Sequence, residues 1–262
     1  MSFMGKRPNN RIAVPQSARI TTDFHSHILP GIDDGSKSIE ESLEMLALSY
    51  GSGVRRMVAT PHFYPRHQNP DSFVLERAEA FAALREAIAQ DNDASQKYPE
   101  VLLGAEVAYF DGISRSEEIK KFCVEKTRIV LIEMPFVRWD NSMIEEIREI
   151  SENLGLVPAI AHIDRYYKFQ SGKMIDALFC DEILVQANAE SFADRRTKKR
   201  MLKLLAEDKI DFLGSDCHNT TSRKPNLDKA SEEIYTKLGD RAFRKINDFC
   251  DYVFDEAESI SD

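Results

Sequence analysis

The sequence predicts a closed or nearly closed α/β barrel, and three observations carry that expectation. Seven short apolar runs alternate with longer amphipathic stretches along the 262 residues. The runs are nearly continuous in Val, Ile and Leu rather than alternating, as parallel strands buried on both faces require. After residue 20 there is no linker, internal repeat or low-complexity segment, so one domain over 20–262 fits better than two.

The elements follow in order. Residues 1–19 are basic, rich in Pro and Asn and without periodicity, and are expected to form a flexible arm. Strand candidates are 20–25, 54–60, 101–107, 128–134, 156–162, 183–188 and 211–216. Between the first two, Ser38-Ile39-Glu40-Glu41 reads as a capping box, with Ile39, Leu43, Leu46 and Tyr50 on one helical face. Phe73, Phe81, Leu84 and Ile88 mark a second helix, Ile144, Ile147 and Ile150 a later one, and Met201, Leu204 and Leu205 another. The run from Arg195 to Arg200 is the one basic cluster of the body, read as a solvated helix face or a patch for an acidic partner.

Charge and composition exclude several function classes. The net charge is -9, and the first 20 residues hold four basic side chains and no acid, so the remainder carries -13. So acidic a body should repel a phosphate backbone, which argues against nucleic acid as a partner. No apolar run approaches the ~20 residues that span a bilayer, and the N-terminal stretch lacks the apolar segment of a secretory signal. Cys123, Cys180, Cys217 and Cys250 lie far apart with no C-x-x-C, as expected of reduced thiols in the cytoplasm.

The histidines sort themselves onto the strand map. His25 and His27 follow the first strand, His62 the second, His162 the fifth and His218 the seventh, while His67 is read as a surface residue. In a parallel barrel all those strand ends open on one face, where the active site is built. Asp34, Glu106, Glu133 and Asp216 share the distribution, and Glu106 and Glu133 each interrupt an apolar run. A lone ionised carboxylate there is costly unless paired or bound to metal. His25-Ser26-His27 has period-two spacing, which sends both rings out of the same side of an extended strand. Nine candidate ligands are ample for two or three ions, and mixed imidazole and carboxylate suits Mn, Fe or Zn.

These residues carry a resemblance. Asp23-Phe24-His25-Ser26-His27-Ile28-Leu29-Pro30-Gly31-Ile32-Asp33-Asp34-Gly35 resembles the opening motif of the polymerase-and-histidinol-phosphatase (PHP) superfamily. More narrowly it resembles the CpsB/CapC/YwqE branch, the bacterial manganese-dependent protein-tyrosine phosphatases of capsule and exopolysaccharide operons. Ala59-Thr60-Pro61-His62, Gly104-Ala105-Glu106, Ile132-Glu133, Ala161-His162-Ile163-Asp164-Arg165-Tyr166 and Ser215-Asp216-Cys217-His218-Asn219, with Arg223 beyond, agree in order and spacing over about 20–250. Residues 239–262 match the family poorly, and Asp164 stands where it more often has Glu.

The resemblance implies a distorted (β/α)7 TIM-like barrel with Mn2+ at the strand ends. By it, His25, His27, Glu106 and Asp216 would hold a first ion, His62 and His162 a second with Glu106 bridging, and Asp34, Glu133 and His218 a third. A metal-activated water would attack phosphorus while Arg165 and Arg223 bind phosphate, a role that planar guanidinium suits on its own chemistry. The implied substrate is an autophosphorylated bacterial tyrosine kinase controlling polysaccharide synthesis; the alternative is a small phosphomonoester such as histidinol phosphate. An amidohydrolase also has His-x-His after its first strand, but commonly a carbamylated Lys where this chain has Glu106. One decoy stands apart: Cys217 to Arg223 fits C-x5-R, the phosphate loop of cysteine-dependent phosphatases, yet holds no glycine and leaves the His and Glu set unexplained.

Overall fold

Every predicted strand segment enters a parallel ladder in the computed structural model, which describes residue 15, residues 18–91 and residues 97–259. In chain order the elements are β1 (Thr22–Ser26), α1 (Ile39–Gly51), β2 (Arg56–Ala59), β3 (His62–Phe63), α2 (Pro70–Gln90), β4 (Glu100–Leu103) and β5 (Glu106–Ala108). Two short 3-10 turns, Ile113–Arg115 and Glu117–Phe122, lead to β6 (Ile129–Glu133), α3 (Asn141–Leu154) and β7 (Val157–Ile160). There follow α4 (Ile163–Tyr166), α5 (Gly172–Asp176), β8 (Leu184–Asn188), α6 (Glu190–Ala193), α7 (Lys198–Ala206), β9 (Phe212–Gly214), α8 (Leu227–Leu238) and α9 (Asp240–Ser259).

Two of the seven predicted strands are each broken in the middle. Pro61, which has no N–H to give a ladder, separates β2 from β3, and Gly104-Ala105 separates β4 from β5. Pairing nevertheless continues across both breaks, because Gly104 N–H donates to Ala59 C=O at 2.8 Å and Glu106 N–H to Pro61 C=O at 3.0 Å. The order of neighbours is then β1, β2, β4 with β5 as its continuation, β6, β7, β8 and β9. A parallel bridge between Ser26 and Cys217 links the last segment back to the first. Asp216 N–H donates to His25 C=O and His27 N–H to Cys217 C=O, at 2.8 and 2.9 Å. The expected (β/α)7 barrel is thus a ring whose last seam is held by loop backbone just past the ends of β1 and β9.

Helices cover the outside as their apolar periodicity requires. Ser38 caps α1 and accepts from Glu41 N–H, while Glu41 turns its own carboxylate to Lys37 N–H at 2.9 Å. Asp140 caps α3, whose Ile144, Ile147 and Ile150 are all buried, as are Met201, Leu204 and Leu205 of α7. Helix α9 was not anticipated, yet it buries Phe243, Ile246, Cys250 and Phe254 at helical spacing. It packs against the seam: Phe24 of β1 stacks on Phe212 of β9 with centroids 3.9 Å apart, and Phe249 and Phe254 close over them. Each such ring contributes about 1.5–3 kcal/mol by leaving water, so apolar packing supports a seam whose bridge is made by loop backbone. Most of the 1–19 arm lies outside the described residues; Ala18 at its end is buried. Among the described residues no helix is long and apolar enough to cross a membrane.

Candidate metal centre

All nine expected ligands meet at the C-terminal mouth of the barrel. His25 and His27 lie at and just beyond the end of β1, and their Nε2 atoms approach to 3.1 Å, as the period-two spacing requires. Glu106 opens β5 directly beside His62 of β3 in register, so the ladder itself presents both to one point. Its Oε2 is 3.1 Å from His25 Nε2, 3.4 Å from His27 Nε2 and 3.0 Å from His62 Nδ1, and its Oε1 is 2.8 Å from His162 Nε2. Four imidazoles around one buried carboxylate make Glu106 the hub of the site.

The remaining residues fall into overlapping sets. Single ligand atoms of His25, His27 and Asp216 lie within 4.8 Å of one another, as do those of His27, Asp34, His62 and His218, and those of His62, Glu106 and Glu133. His162 joins the last set through Glu106 and through Glu133 Oε1 at 3.3 Å. This partition differs from the one the resemblance implies. Asp34 does meet His218 at 3.4 Å, but Glu133 groups with His62 and Glu106 instead, because β6 carries it next to β5.

The donor set fits divalent cations. His162 Nδ1 is buried without a hydrogen-bond partner, and His62 Nδ1, Glu106 Oε2 and His218 Nε2 make only close ionic approaches with no aligned hydrogen bond, an expensive condition that a cation among them would relieve. Burial disfavours the Glu106 carboxylate, but His25, His162 and His27 around it hold its pKa well below the usual range. Burial opposes charge on His27 and His162 as well, yet Asp33 and Glu106 raise His27 to about 10, and Glu106 and Glu133 raise His162 to about 9. His218 goes the other way, lowered to about 4 by burial and by the His27 charge, and so stands neutral at pH 7.

Several residues beyond the nine hold them in place. Asp33, absent from the expected set, puts Oδ2 2.7 Å from His27 Nδ1, accepts from His62 N–H at 3.0 Å and from Gly35 N–H at 2.8 Å. Adjacent acids look alike in sequence, and here both serve: Asp33 holds His27 while Asp34 lies 3.5 Å from His62 and 3.4 Å from His218. Gln186 Oε1 accepts from His162 N–H at 2.6 Å and lies 3.2 Å from His25 Nδ1; its Nε2 donates to Asn188 Oδ1, and Asn188 Nδ2 donates to Asp216 Oδ2 at 2.8 Å. These partners fix ring orientation and tautomer. Backbone geometry is tight as well: a Cβ on Gly35 would meet His27 O at 2.2 Å, and one on Gly214 would meet His25 Cβ at 2.5 Å. His162 and Asp216 have positive φ, 32° and 52°, a strained state for non-glycine residues that clusters at functional sites.

The two expected arginines reach the same carboxylate. Arg165 bonds Asp216 Oδ2, and Arg223 Nη2 donates to Asp216 Oδ1 at 2.7 Å. Both are partly exposed and line a cleft of about 550 Å³ that opens beside Asp216. Aromatic rings border the other side: Tyr64 stacks on His62 with centroids 5.1 Å apart, and Phe136 on His162 at 5.7 Å, with Phe169 beyond. Cys217, the decoy, is fully buried, and burial together with Asp23 pushes its thiol well above the ordinary value. A thiol so placed offers no thiolate nucleophile. His67 lies in the exposed turn after β3, as expected of a surface residue.

Comparison with known proteins places the chain in a family. The family model for capsular polysaccharide synthesis, CpsB/CapC, matches residues 21–251. The tyrosine-protein phosphatase CpsB of Streptococcus pneumoniae is 31% identical over 241 residues, 86% of this chain and 93% of that protein. YwqE of Bacillus subtilis, also a tyrosine-protein phosphatase, is 27% identical over 233 residues, 83% of this chain and 85% of that one. A chain from the crystal structures of YwqE and of CpsB from S. pneumoniae, described as unique metal-dependent tyrosine phosphatases, superposes with a TM-score of 0.76 at 22% identity, covering 90% of this chain and 94% of that one. With its barrel, its family-model match and its place among these relatives established, the chain belongs to the CpsB/CapC family.

Proposed function

We propose that this chain is a metal-dependent protein-tyrosine phosphatase with Mn2+ as its metal, in two or three ions. The observation that carries the reading is the meeting, at one barrel mouth, of nine His, Asp and Glu side chains with two guanidiniums on a shared carboxylate. His25, His27 and Asp216 would hold one ion, His62, Glu106, Glu133 and His162 a second, and Asp34 and His218, with His27 and His62, a third. A divalent metal there supplies Lewis acidity toward phosphoryl oxygens and a water of lowered pKa. Arg165 and Arg223 each keep N–H groups beyond those on Asp216, and these clamp the phosphate and take up its developing charge. Asp216 aims both. The Tyr64 and Phe136 rings give the substrate's phenyl ring an apolar wall. A phenolate leaves with a pKa near ~10 and so needs less help from a general acid than an alkoxide.

The substrate in this reading is an autophosphorylated bacterial tyrosine kinase that regulates capsule or exopolysaccharide synthesis, met in the cytoplasm by a single domain over 20–262. The test is phosphate release from a phosphotyrosine peptide by metal-stripped protein, before and after Mn2+ is restored, with His62→Ala and Cys217→Ser alongside. Activity should return with Mn2+, survive Cys217→Ser and fail in His62→Ala. Robust turnover of small alkyl phosphates with none of phosphotyrosine would move the function to a small phosphomonoester.

A further inference from the structure

We infer that the cleft beside Arg165 and Arg223 is a second anion subsite, which holds an acidic or phosphorylated side chain flanking the phosphotyrosine; the inference rests on the phosphatase reading above. The cleft is about 550 Å³, within the roughly 300–1,000 Å³ of ligand sites, and is continuous with the two guanidiniums. Beyond them its wall carries Arg196, Lys224 and Lys229. Five cations thus face three acids, Glu190, Asp194 and Asp216, on a chain whose net charge is -9. Asp216 is already taken by the arginines, and Asp194 lies 3.6 Å from Arg196, which leaves that guanidinium 89% exposed. Lys224 and Lys229 form no ion pair among the described residues, and both are exposed. The Asn226 amide, on the same wall, has a buried oxygen without a hydrogen-bond partner, and the NH2 end of that amide is the end that could donate to an anion.

Such a wall serves no purpose for the scissile phosphate, which the metal ligands and two arginines already surround. It suits an anion carried farther along the same peptide, where an extended chain advances about 3.4 Å per residue. It also gives a use to Arg196, the one member of the basic run 195–200 that lines the cleft.

The test compares kcat/KM for three Mn2+-assayed peptides that differ only beside the phosphotyrosine: neutral flanks, glutamate flanks, or a second phosphotyrosine. Free phosphotyrosine is the reference. Wild type, Lys224→Glu/Lys229→Glu and the milder Lys224→Ala/Lys229→Ala are measured together. Wild type should favour an anionic flank by about five- to tenfold, through KM rather than kcat, as two or three exposed ion pairs allow. The preference should fade as salt rises. Both variants should lose it while turning over free phosphotyrosine like wild type. Preference for the glutamate peptide assigns a carboxylate to the subsite, and preference confined to the doubly phosphorylated peptide assigns a phosphate. Equal turnover of all three peptides by wild type, or a preference that survives in both variants, overturns the inference alone. Wild type inert on every phosphotyrosine peptide and on free phosphotyrosine, with Mn2+ supplied, overturns the proposed function, and this inference with it.

Discussion

The histidine and glutamate half of the site stands on strand ends, whereas the arginine half reaches in from the short helix α4 and from the segment between β9 and α8. His25, His27 and His162 are fully buried and Glu106 is 1% exposed, yet Arg165 and Arg223 retain 35% and 38%. The buried half is supported on every side: Asp33 on His27, Gln186 on His25 and His162, and ladder register between His62 and Glu106. The exposed half is anchored on Asp216, itself set by a strained backbone and by Asn188, with Asp34 4.0 Å from Arg223 as a second, looser contact. A rigid buried centre suits ligands that must converge to within a few tenths of an ångström. A loosely held pair of cations suits a substrate that arrives and leaves.

Four measurements sharpen or break that contrast. Glu106→Gln should have the largest effect, since it removes the charge that four imidazoles share: metal content should fall and turnover should drop at least about 10³-fold. Full metal content in that variant would mean Glu106 is not the hub. Arg165→Ala and Arg223→Ala should each lower kcat by about 10²–10³ with bound metal unchanged. Metal lost along with activity would instead make the arginines supports of Asp216, and the two halves one. Next comes Asp33→Ala, expected to weaken metal binding by about 10–100-fold, with activity recovering at saturating Mn2+.

The last measurement is one of pH. In the metal-free protein His27 and His162 hold protons up to about 10 and about 9, because Asp33, Glu106 and Glu133 outweigh the cost of burial. A ligating imidazole must be neutral, so metal binding expels those protons, and the apparent affinity should rise with pH until those values are passed. Titration calorimetry in buffers of different ionisation enthalpy reads the proton release directly. Binding that is flat between pH 7 and 9 would contradict it.

Much of this was legible in the chain. Seven apolar runs became the barrel, Ser38 and the Ile144–Ile147–Ile150 stripe marked real helices, and strand-end histidines marked the mouth. The two breaks were missed because Pro61 and Gly104 interrupt local geometry while long-range pairing carries on. Helix α9 carries no motif, and its only signal is the recurrence of Phe243, Ile246, Cys250 and Phe254 on one face. Asp33 was passed over because adjacent acids look alike until a turn selects one.

By itself the sequence determined the residue types at each strand end, since β-branched runs and period-two spacing are local properties of the chain. Only the tertiary structure decided which of those ends share a carboxylate. That depends on register between strand positions 44 and 25 residues apart: His62 opposite Glu106, and Ala108 opposite Glu133. A slip of one residue would turn either glutamate to the other face of the sheet. Register follows from the packing of the whole ring, seam and α9 included, and no short stretch of sequence contains it.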